Sequence, residues 1–396
     1  MSIQKQIAHI DLDSFFVSVE CRANTKLLGK PVAIGGSGDR GVIASCSYEA
    51  RKFGVHSAMP GKLAKRLCPE LIFLRGDYDS YSKASHEVTE IITEAIPVFE
   101  KTSIDEFYMD MTGMDQFFGT FKYAKELREK IIHETGLPIS FGLSKNKTVS
   151  KVATGLAKPN GYKYVNYGDE KTFLAPLSVK KIPMIGEKTV QNLRRMGVEK
   201  VYTLQQMPVQ LLESAFGKSG TMMWEKANGI DLSPIRPYTD RKSLSSEHTF
   251  EKDTMDAGML TSMLVSMTEN LCYKMRQDNF LTSCVSVKIR YADFNTHTQQ
   301  IKIPYTSADH ILIPKIKALF QKLYQRRLLI RLIGVKFSDL VSGHYQINLF
   351  EDSLSQLHLY QALDKLNLRY GDKTVCRAIG LTNENKTFNP FKGIKP

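Results

Sequence analysis

The first 170 residues alternate between short apolar runs typical of strands and apolar stripes at helical spacing. Residues 5–20 follow the pattern of a strand, a turn and a helix. Further along, the pattern predicts strands at 31–35, 41–45 and 138–143, a strand pair over 99–111, and helices at 78–96, 120–135 and 144–157. This order predicts an α+β domain in which strands from distant parts of the chain lie side by side.

The pattern changes twice in the rest of the chain. Residues 170–235 have helical periodicity, and a charged linker containing proline follows at 236–242. The strand-like run at 285–290 alternates apolar with polar residues, and helical patterns at 255–278 and 310–325 flank it. We therefore expect a second α+β domain whose sheet has one polar, basic face.

Two acidic clusters lie within strand-like apolar runs. Asp11 and Asp13 end the first predicted strand, and Asp105 and Glu106 precede an aromatic run about ninety residues later. Carboxylates in such runs are costly to bury unless positive charge meets them. Two such strands side by side would gather Asp11, Asp105 and Glu106 around one point, as in sites that hold divalent cations for phosphoryl transfer. The alternative for either cluster alone is a turn or a cap, and Asp13 is placed to cap the following helix.

Three polar side chains of the same region are candidates for binding phosphate. Tyr48 and Arg51 lie three residues apart at the start of a predicted helix, so they share a face. Lys158 precedes a Pro-Asn-Gly turn. The alternative for Tyr48 and Arg51 is a solvated surface pair. Adjacent Phe15 and Phe16 are typical of a core, yet one of them must point away from it.

Composition narrows the class of protein. Lys and Arg (54) exceed Asp and Glu (41) by 13 in 396 residues, which favours a polyanionic partner, although charge alone leaves this open. The length predicts two to four domains. The six cysteines are scattered without metal-type spacing, which indicates reduced thiols rather than disulfides or a zinc site. Since no apolar run could cross a membrane and no signal-peptide pattern is present, we expect a cytoplasmic protein with no membrane partner.

A possible phosphate-binding turn lies within residues 181–189. Its Pro-x-x-Gly sequence separates two short helical patterns, and Lys188 follows it. Backbone N–H groups of Ile185 and Gly186 at the start of a helix would suit a phosphate oxygen. An ordinary turn between two helices is the alternative.

Four segments in this order resemble the signature of the Y-family (translesion) DNA polymerases, in particular its DNA polymerase IV branch. They are residues 9–20 (HIDLDSFFVSVE), 47–60 (SYEARKFGVHSAMP), 103–113 (SIDEFYMDMTG) and 141–161 (FGLSKNKTVSKVATGLAKPNG). The resemblance implies a low-fidelity, DNA-dependent DNA polymerase that adds deoxynucleotides (dNTPs) to the primer 3′-end and does not proofread. A right-hand polymerase fold, α+β and multidomain, is implied with it.

The resemblance also implies roles for individual residues. Asp11, Asp105 and Glu106 would be catalytic and would hold two Mg²⁺ ions, which Mn²⁺ can replace, together with the backbone carbonyl of Leu12. Phe16 would be the steric gate that excludes a 2′-hydroxyl. The triphosphate would contact three residues: Tyr48, Arg51 and Lys158.

The implied domains follow the chain. They are a palm at 1–19 and 78–168, fingers at 20–77, a thumb with a helix-hairpin-helix at 169–235, a linker at 236–242, a little finger at 243–342 and a tail at 343–396. Primer-template DNA would contact five residues of the thumb hairpin and of the little-finger entry: Ile185, Gly186, Lys188, Lys242 and Ser243. Met184 stands where a glycine is common in this hairpin.

A last motif lies beyond the little finger. Gln346, Leu349 and Phe350 fit the Gln-x-x-Leu-Phe pattern by which bacterial polymerases bind the sliding clamp, and an edge strand is the alternative. We expect a monomer in the bacterial cytoplasm, associated with the nucleoid. Two other functions stay open: a non-catalytic DNA- and clamp-binding scaffold of the same fold, and a nucleotidyl cyclase with a similar palm.

Overall fold

The computed structural model describes residues 4–36, 38, 40–114, 119–343, 354–371 and 374–380. The chain divides into two compact units. One contains the chain up to Thr239, and the other begins at Asp240.

The described part of the first unit has two sheets. Its strands are β1 (Ile7–Leu12), β2 (Val32–Gly35), β3 (Ile43–Cys46), β4 (Ile72–Leu74), β5 (Phe99–Lys101), β6 (Glu106–Asp110), β7 (Ile139–Ser144) and β8 (Tyr162–Tyr164). Its helices are α1 (Phe15–Ala23), α2 (Tyr48–Lys52), α3 (Gly61–Leu67), α4 (Tyr78–Ala95), α5 (Thr120–Thr135), α6 (Lys147–Ala157), α7 (Glu170–Leu174), α8 (Glu187–Arg195), α9 (Val201–Gln206), α10 (Val209–Phe216) and α11 (Lys218–Ala227).

The larger sheet has the strand order β5-β6-β1-β7-β8, with β1 antiparallel to both of its neighbours. Asp11 on β1 therefore lies opposite Glu106 on β6 and Ser140 on β7. The Leu12 N–H extends the pairing by donating to the Asp105 carbonyl oxygen at 3.0 Å. The predicted adjacency of the two acidic strands is confirmed.

The two faces of β1 have different environments because side chains alternate along a strand. Ala8, Ile10 and Leu12 are buried in a core to which α4 and α5 contribute. On the other face, His9 Nδ1 lies 2.9 Å from the Thr154 hydroxyl of α6, and Asp11 also faces this side. The acidic site is thus formed between the sheet and α6.

Helix α6 packs very closely on β7. A side chain at Gly142 would place its Cβ only 2.3 Å from the Ser150 carbonyl oxygen, so glycine is required there. The predicted helix start at residue 144 differs from the observed start. Ser144 is still part of β7, and the Asn146 side chain caps the helix by accepting from the Val149 N–H at 3.0 Å.

The smaller sheet has the order β3-β2-β4 and lies in the segment between β1 and β5. It positions α2, which begins directly after β3. Ser47 caps α2 by accepting a hydrogen bond from the Ala50 N–H, which fixes Tyr48 as the first residue of the helix.

Helices α7 to α11 share a core with α6, in which Val149 and Leu193 are buried. In the hairpin before α8, Met184 has φ 74° and a side chain exposed to 74%. This left-handed conformation is the one that glycine adopts without strain, which accounts for the glycine expected at this position.

The second unit contains one sheet of order β11-β10-β12-β9 in its described residues. Its elements are β9 (Ser243–Thr254), α12 (Ala257–Gln277), β10 (Phe280–Tyr291), β11 (Thr296–Thr306), α13 (Asp309–Leu323), β12 (Ile330–Ser342) and α14 (Leu354–Tyr370). One face of the sheet is buried against α12 and α13. The opposite face carries Lys288, which pairs with Glu247, and exposed Lys336. The predicted α+β domain with a polar, basic sheet face is confirmed.

The helix α14 belongs to this second unit, whereas the sequence places it in a tail outside the little finger. Arg276 of α12 binds both Asp364 of α14, at 2.7 Å, and Asp309, at 2.7 Å. Tyr360 of α14 is 6% exposed, stacks on His310 and lies under the Arg276 guanidinium. The packing of α14 thus depends on a largely buried charge network.

Among the described residues, no helix is long and apolar enough to cross a membrane.

Candidate active site

The site lies at the end of β1, where the chain brings together the acidic residues predicted from sequence. Asp105 precedes β6 and is held by Ser103, whose hydroxyl lies 2.5 Å from its Oδ1. The same Ser103 hydroxyl accepts from the Glu106 N–H at 3.0 Å. Ser103 therefore shapes the turn that presents both carboxyl groups.

Two lysines face the acidic residues. The Lys151 ammonium group donates to both Glu106 carboxylate oxygens, at 2.9 and 2.7 Å. Lys158, at the end of α6, pairs with Asp11. Lys158 was predicted as a triphosphate contact, whereas Lys151 was not singled out in the sequence. Its spacing of four residues from Lys147 was the available signal, since it puts both lysines on one face of α6.

Burial dominates the electrostatics of Asp11. It raises the pKa of Asp11 to about 7, and the charges of Asp105 and Glu106 act in the same direction. Lys158 opposes this increase in the pKa. The site therefore concentrates negative charge in a partly buried place, where a cation is favourable.

The chemistry of the donors fits Mg²⁺, which prefers carboxylate oxygens. In the part of the chain that the structure describes, no three acidic, His or Cys side chains are arranged as a ready-made metal site. Glu106 faces Lys151 and Asp11 faces Lys158 instead. Metal ligation by Asp11, Asp105, Glu106 and the Leu12 carbonyl stays a prediction.

Phe15 and Phe16 occupy different environments, as their adjacency predicted. Phe15 is 3% exposed in the core, whereas Phe16 is only partly buried. The Phe16 ring stacks on Tyr81, with centroids 4.3 Å apart and planes at 13°. Tyr81 is in turn fixed by a 2.6 Å hydrogen bond to Glu20. The Phe16 ring is thus held in place by Tyr81 and packs against the core, and its role as a steric gate stays a prediction.

Tyr48 and Arg51 are neighbours on α2, as predicted. The Arg51 guanidinium lies 4.6 Å from the centre of the Tyr48 ring. The Tyr48 hydroxyl donates to Asp13 Oδ1 at 3.0 Å. Burial and the nearby Asp13 charge raise the pKa of Tyr48, so the phenol stays protonated and can donate.

The predicted capping role of Asp13 is wrong. Ser14 is the residue before α1, and the Asp13 side chain makes no bond to the helix N-terminus. Its carboxylate instead accepts hydrogen bonds from Tyr48, Ser140 and Asn160. Sequence periodicity could not reveal these partners, because they lie 35 to 147 residues away.

The candidate DNA contacts lie in both units. Gly186 and Lys188 are exposed at the start of α8. The side chain of Ile185 is buried, and its N–H already donates to the Ile182 carbonyl oxygen at 3.2 Å, so this N–H is not available to phosphate. Lys242 is exposed and Ser243 is partly exposed. Their contacts with DNA stay predictions, as does the clamp motif at 346–350, which lies outside the described residues.

Comparison with known proteins agrees with this geometry. The impB/mucB/samB family model matches residues 10–155, its C-terminal-domain model matches 241–349, and a thumb-domain model of DNA polymerase iota matches 180–231. The DNA polymerase IV of Dehalococcoides mccartyi (strain BAV1) is 36% identical over 95% of this chain and 97% of its own length. The chain belongs to the Y-family DNA polymerases.

Other Y-family proteins give the same result. The DNA polymerase IV of Treponema denticola is 34% identical over 98% of this chain and 99% of its own length. The solved structure of a Y-family DNA polymerase chimera, 23% identical, has the same fold with a TM-score of 0.77 over 85% of this chain and all of the chimera. This Y-family chain is a DNA-directed DNA polymerase with the right-hand fold, as its sequence motifs predicted.

Proposed function

We propose that this polymerase carries out low-fidelity translesion synthesis by two-metal nucleotidyl transfer and does not proofread. The observation that carries the proposal is the pairing of β1 with β6, which puts Asp11 opposite Glu106 with Asp105 beside them. Phosphoryl transfer with two cations about 4 Å apart needs such a group of carboxylates.

The residues around the carboxylates have complementary tasks. Asp11, Asp105 and Glu106 would hold two Mg²⁺ ions, and Lys151 orients Glu106. When bound, Mg²⁺ lowers the pKa of the primer 3′-hydroxyl and neutralises charge on the triphosphate. Arg51 and Lys158 bind the triphosphate oxygens by charge-assisted hydrogen bonds. The single O–H of Tyr48 is donated to Asp13, so a contact of Tyr48 with the triphosphate requires this O–H to turn to a phosphate oxygen.

Binding of primer-template DNA is proposed for the thumb hairpin and the basic face of the second unit. The net charge of +13 supports a polyanionic partner. Contacts to phosphate from Lys188 and Lys242 would be independent of sequence and would weaken as the salt concentration rises.

Primer extension with all four dNTPs and Mg²⁺, on an intact and an abasic template, tests this function. We expect extension past the abasic site and no removal of a mismatched primer end. Binding of DNA without extension would favour the scaffold function. Cyclic product from nucleotide in the absence of DNA would favour a nucleotidyl cyclase.

Docking on the sliding clamp is proposed for Gln346, Leu349 and Phe350. Replacing Leu349 and Phe350 together by alanine removes both apolar anchors from an extended peptide. We expect the clamp to stimulate synthesis by the wild type and not by the double variant. Full stimulation of the double variant would place the docking site elsewhere.

A further inference from the structure

Asp13 is a buried carboxylate that the proposed chemistry does not use. It is 1% exposed, and both of its oxygens have donors. Oδ1 accepts from the Tyr48 hydroxyl at 3.0 Å. Oδ2 accepts from the Ser140 hydroxyl and the Asn160 N–H, each at 2.7 Å. A carboxylate so occupied is not free to bind a metal or substrate, so its effect must pass through its donors.

The donors of Asp13 come from three separate parts of the first unit. Tyr48 begins α2, Ser140 lies on β7, and Asn160 lies in the loop after α6. The backbone of Asp13 is itself fixed, because its N–H donates to the Pro138 carbonyl oxygen at 2.9 Å. Asp13 therefore ties the small sheet and the loop after α6 to the end of β1.

Two of these connections lead to the proposed triphosphate ligands. The Tyr48 ring supports the Arg51 guanidinium at 4.6 Å. Asn160 is two residues after Lys158, whose ammonium group lies 3.9 Å from Asp13 Oδ1. Without Asp13, the positions of Tyr48 and Arg51 on α2 and of Lys158 after α6 would be set by separate elements, which lie more than a hundred residues apart in the chain.

The loop after α6 is fixed at further points. Arg128 donates to the Asn160 carbonyl oxygen at 2.9 Å, and the Gly161 N–H donates to the Ser140 hydroxyl at 3.2 Å. These bonds hold Asn160 and Gly161 against α5 and β7, and the bond from the Asn160 N–H to Asp13 adds a connection to the end of β1, close to Lys158.

We propose that Asp13 is a positioning residue for nucleotide binding: its carboxylate holds Tyr48, whose ring supports Arg51, and the Lys158–Asn160 loop in the arrangement in which Arg51 and Lys158 bind the triphosphate. The inference rests on the proposed function and extends it to a residue outside the substrate contacts. The negative charge of Asp13 is central to the inference, since one carboxylate can accept from all three donors at once.

The test is the affinity for the incoming dNTP on a dideoxy-terminated primer-template, which reports binding without turnover. Asp13→Asn keeps the shape of the side chain but sets its amide N–H groups against donors. We expect the dissociation constant of the dNTP to rise roughly 10–100-fold, as for a lost hydrogen bond to a charged group. With an extendable primer, KM should rise by a similar factor while kcat changes less than about threefold.

Ser18→Ala is the matched control, because the Ser18 hydroxyl donates to the Asp13 backbone carbonyl oxygen at 2.6 Å. The change removes a hydrogen bond to the same residue and leaves all three donors to its carboxylate in place. Its dNTP affinity should stay within about threefold of wild type. If Asp13→Asn does not fold, Asp13→Ser replaces it, since the smaller side chain leaves room for a water between the same donors, and the expectation is the same.

Three results would distinguish a failure of this inference from a failure of the proposed function. Unchanged dNTP affinity in the Asp13 variant overturns the inference, and so does an equal loss of affinity in Ser18→Ala. A wild-type protein that binds DNA but neither binds nor incorporates dNTP overturns the proposed function itself.

Discussion

Asp105→Asn should lower the rate of primer extension at least about 10³-fold. The substitution removes a negative charge from a group of carboxylates whose proposed task is to hold cations. It keeps the size of the side chain and an oxygen that can bond with the Ser103 hydroxyl, which lies 2.5 Å from Oδ1. The fold and the affinity for primer-template DNA should therefore stay near those of the wild type. Single-turnover extension in Mg²⁺ measures the effect.

Asp110→Asn is the matched control for Asp105→Asn. Asp110 ends the same strand, β6, and lies opposite Ile7 at the other end of β1. Its Oδ1 accepts from the Thr112 N–H at 3.0 Å, so the chemical change is equivalent but distant from the site. Extension by Asp105→Asn within tenfold of the rate of Asp110→Asn would contradict the metal-binding role.

Phe16→Ala should reduce discrimination against ribonucleotides by about 10²-fold. The wild-type ring lies flat on Tyr81, with planes at 13°, and cannot easily move aside from a 2′-hydroxyl. Alanine leaves space where the ring was, so the hydroxyl no longer clashes. The measurement is kcat/KM for a ribonucleotide relative to the matching dNTP, opposite the same template base.

Tyr81→Phe is the control that distinguishes the effect of the Phe16 ring from the effect of the hydrogen bond that fixes its neighbour. This change removes the 2.6 Å hydrogen bond to Glu20 but keeps the stacked ring. We expect its discrimination to stay near that of the wild type. If Phe16→Ala excludes ribonucleotides as strongly as Tyr81→Phe does, Phe16 is not the steric gate.

The arrangement of the acidic strands could be predicted from the sequence, because carboxylates inside apolar runs need a common counter-charge. Asp11 on β1 indeed lies opposite Glu106 on β6. The different burial of Phe15 and Phe16 also followed from their adjacency, since two neighbouring residues on a helix cannot both face the core fully. Such predictions succeed because each depends on a few neighbouring residues and one plausible strand pair.

The role of Asp13 could not be predicted in this way. Its position before a helix favours capping, and local propensity contains no information about Ser140 or Asn160, which reach it only in the folded chain. The Lys151–Glu106 pair was missed for the same reason. The observed start of α6 differs from the predicted start at residue 144, because Ser144 is still part of β7 and the Asn146 side chain caps the helix.

The packing of α14 on the second unit decides where the domain boundary should be placed when this unit is exchanged with that of a relative. The family match to the C-terminal domain ends at residue 349, before α14 begins. A chimaera joined there would take Arg276 without Asp364 and leave a largely buried guanidinium short of one partner. Grafts of this domain should therefore extend through Gly380, so that the helix travels with the surface on which it packs.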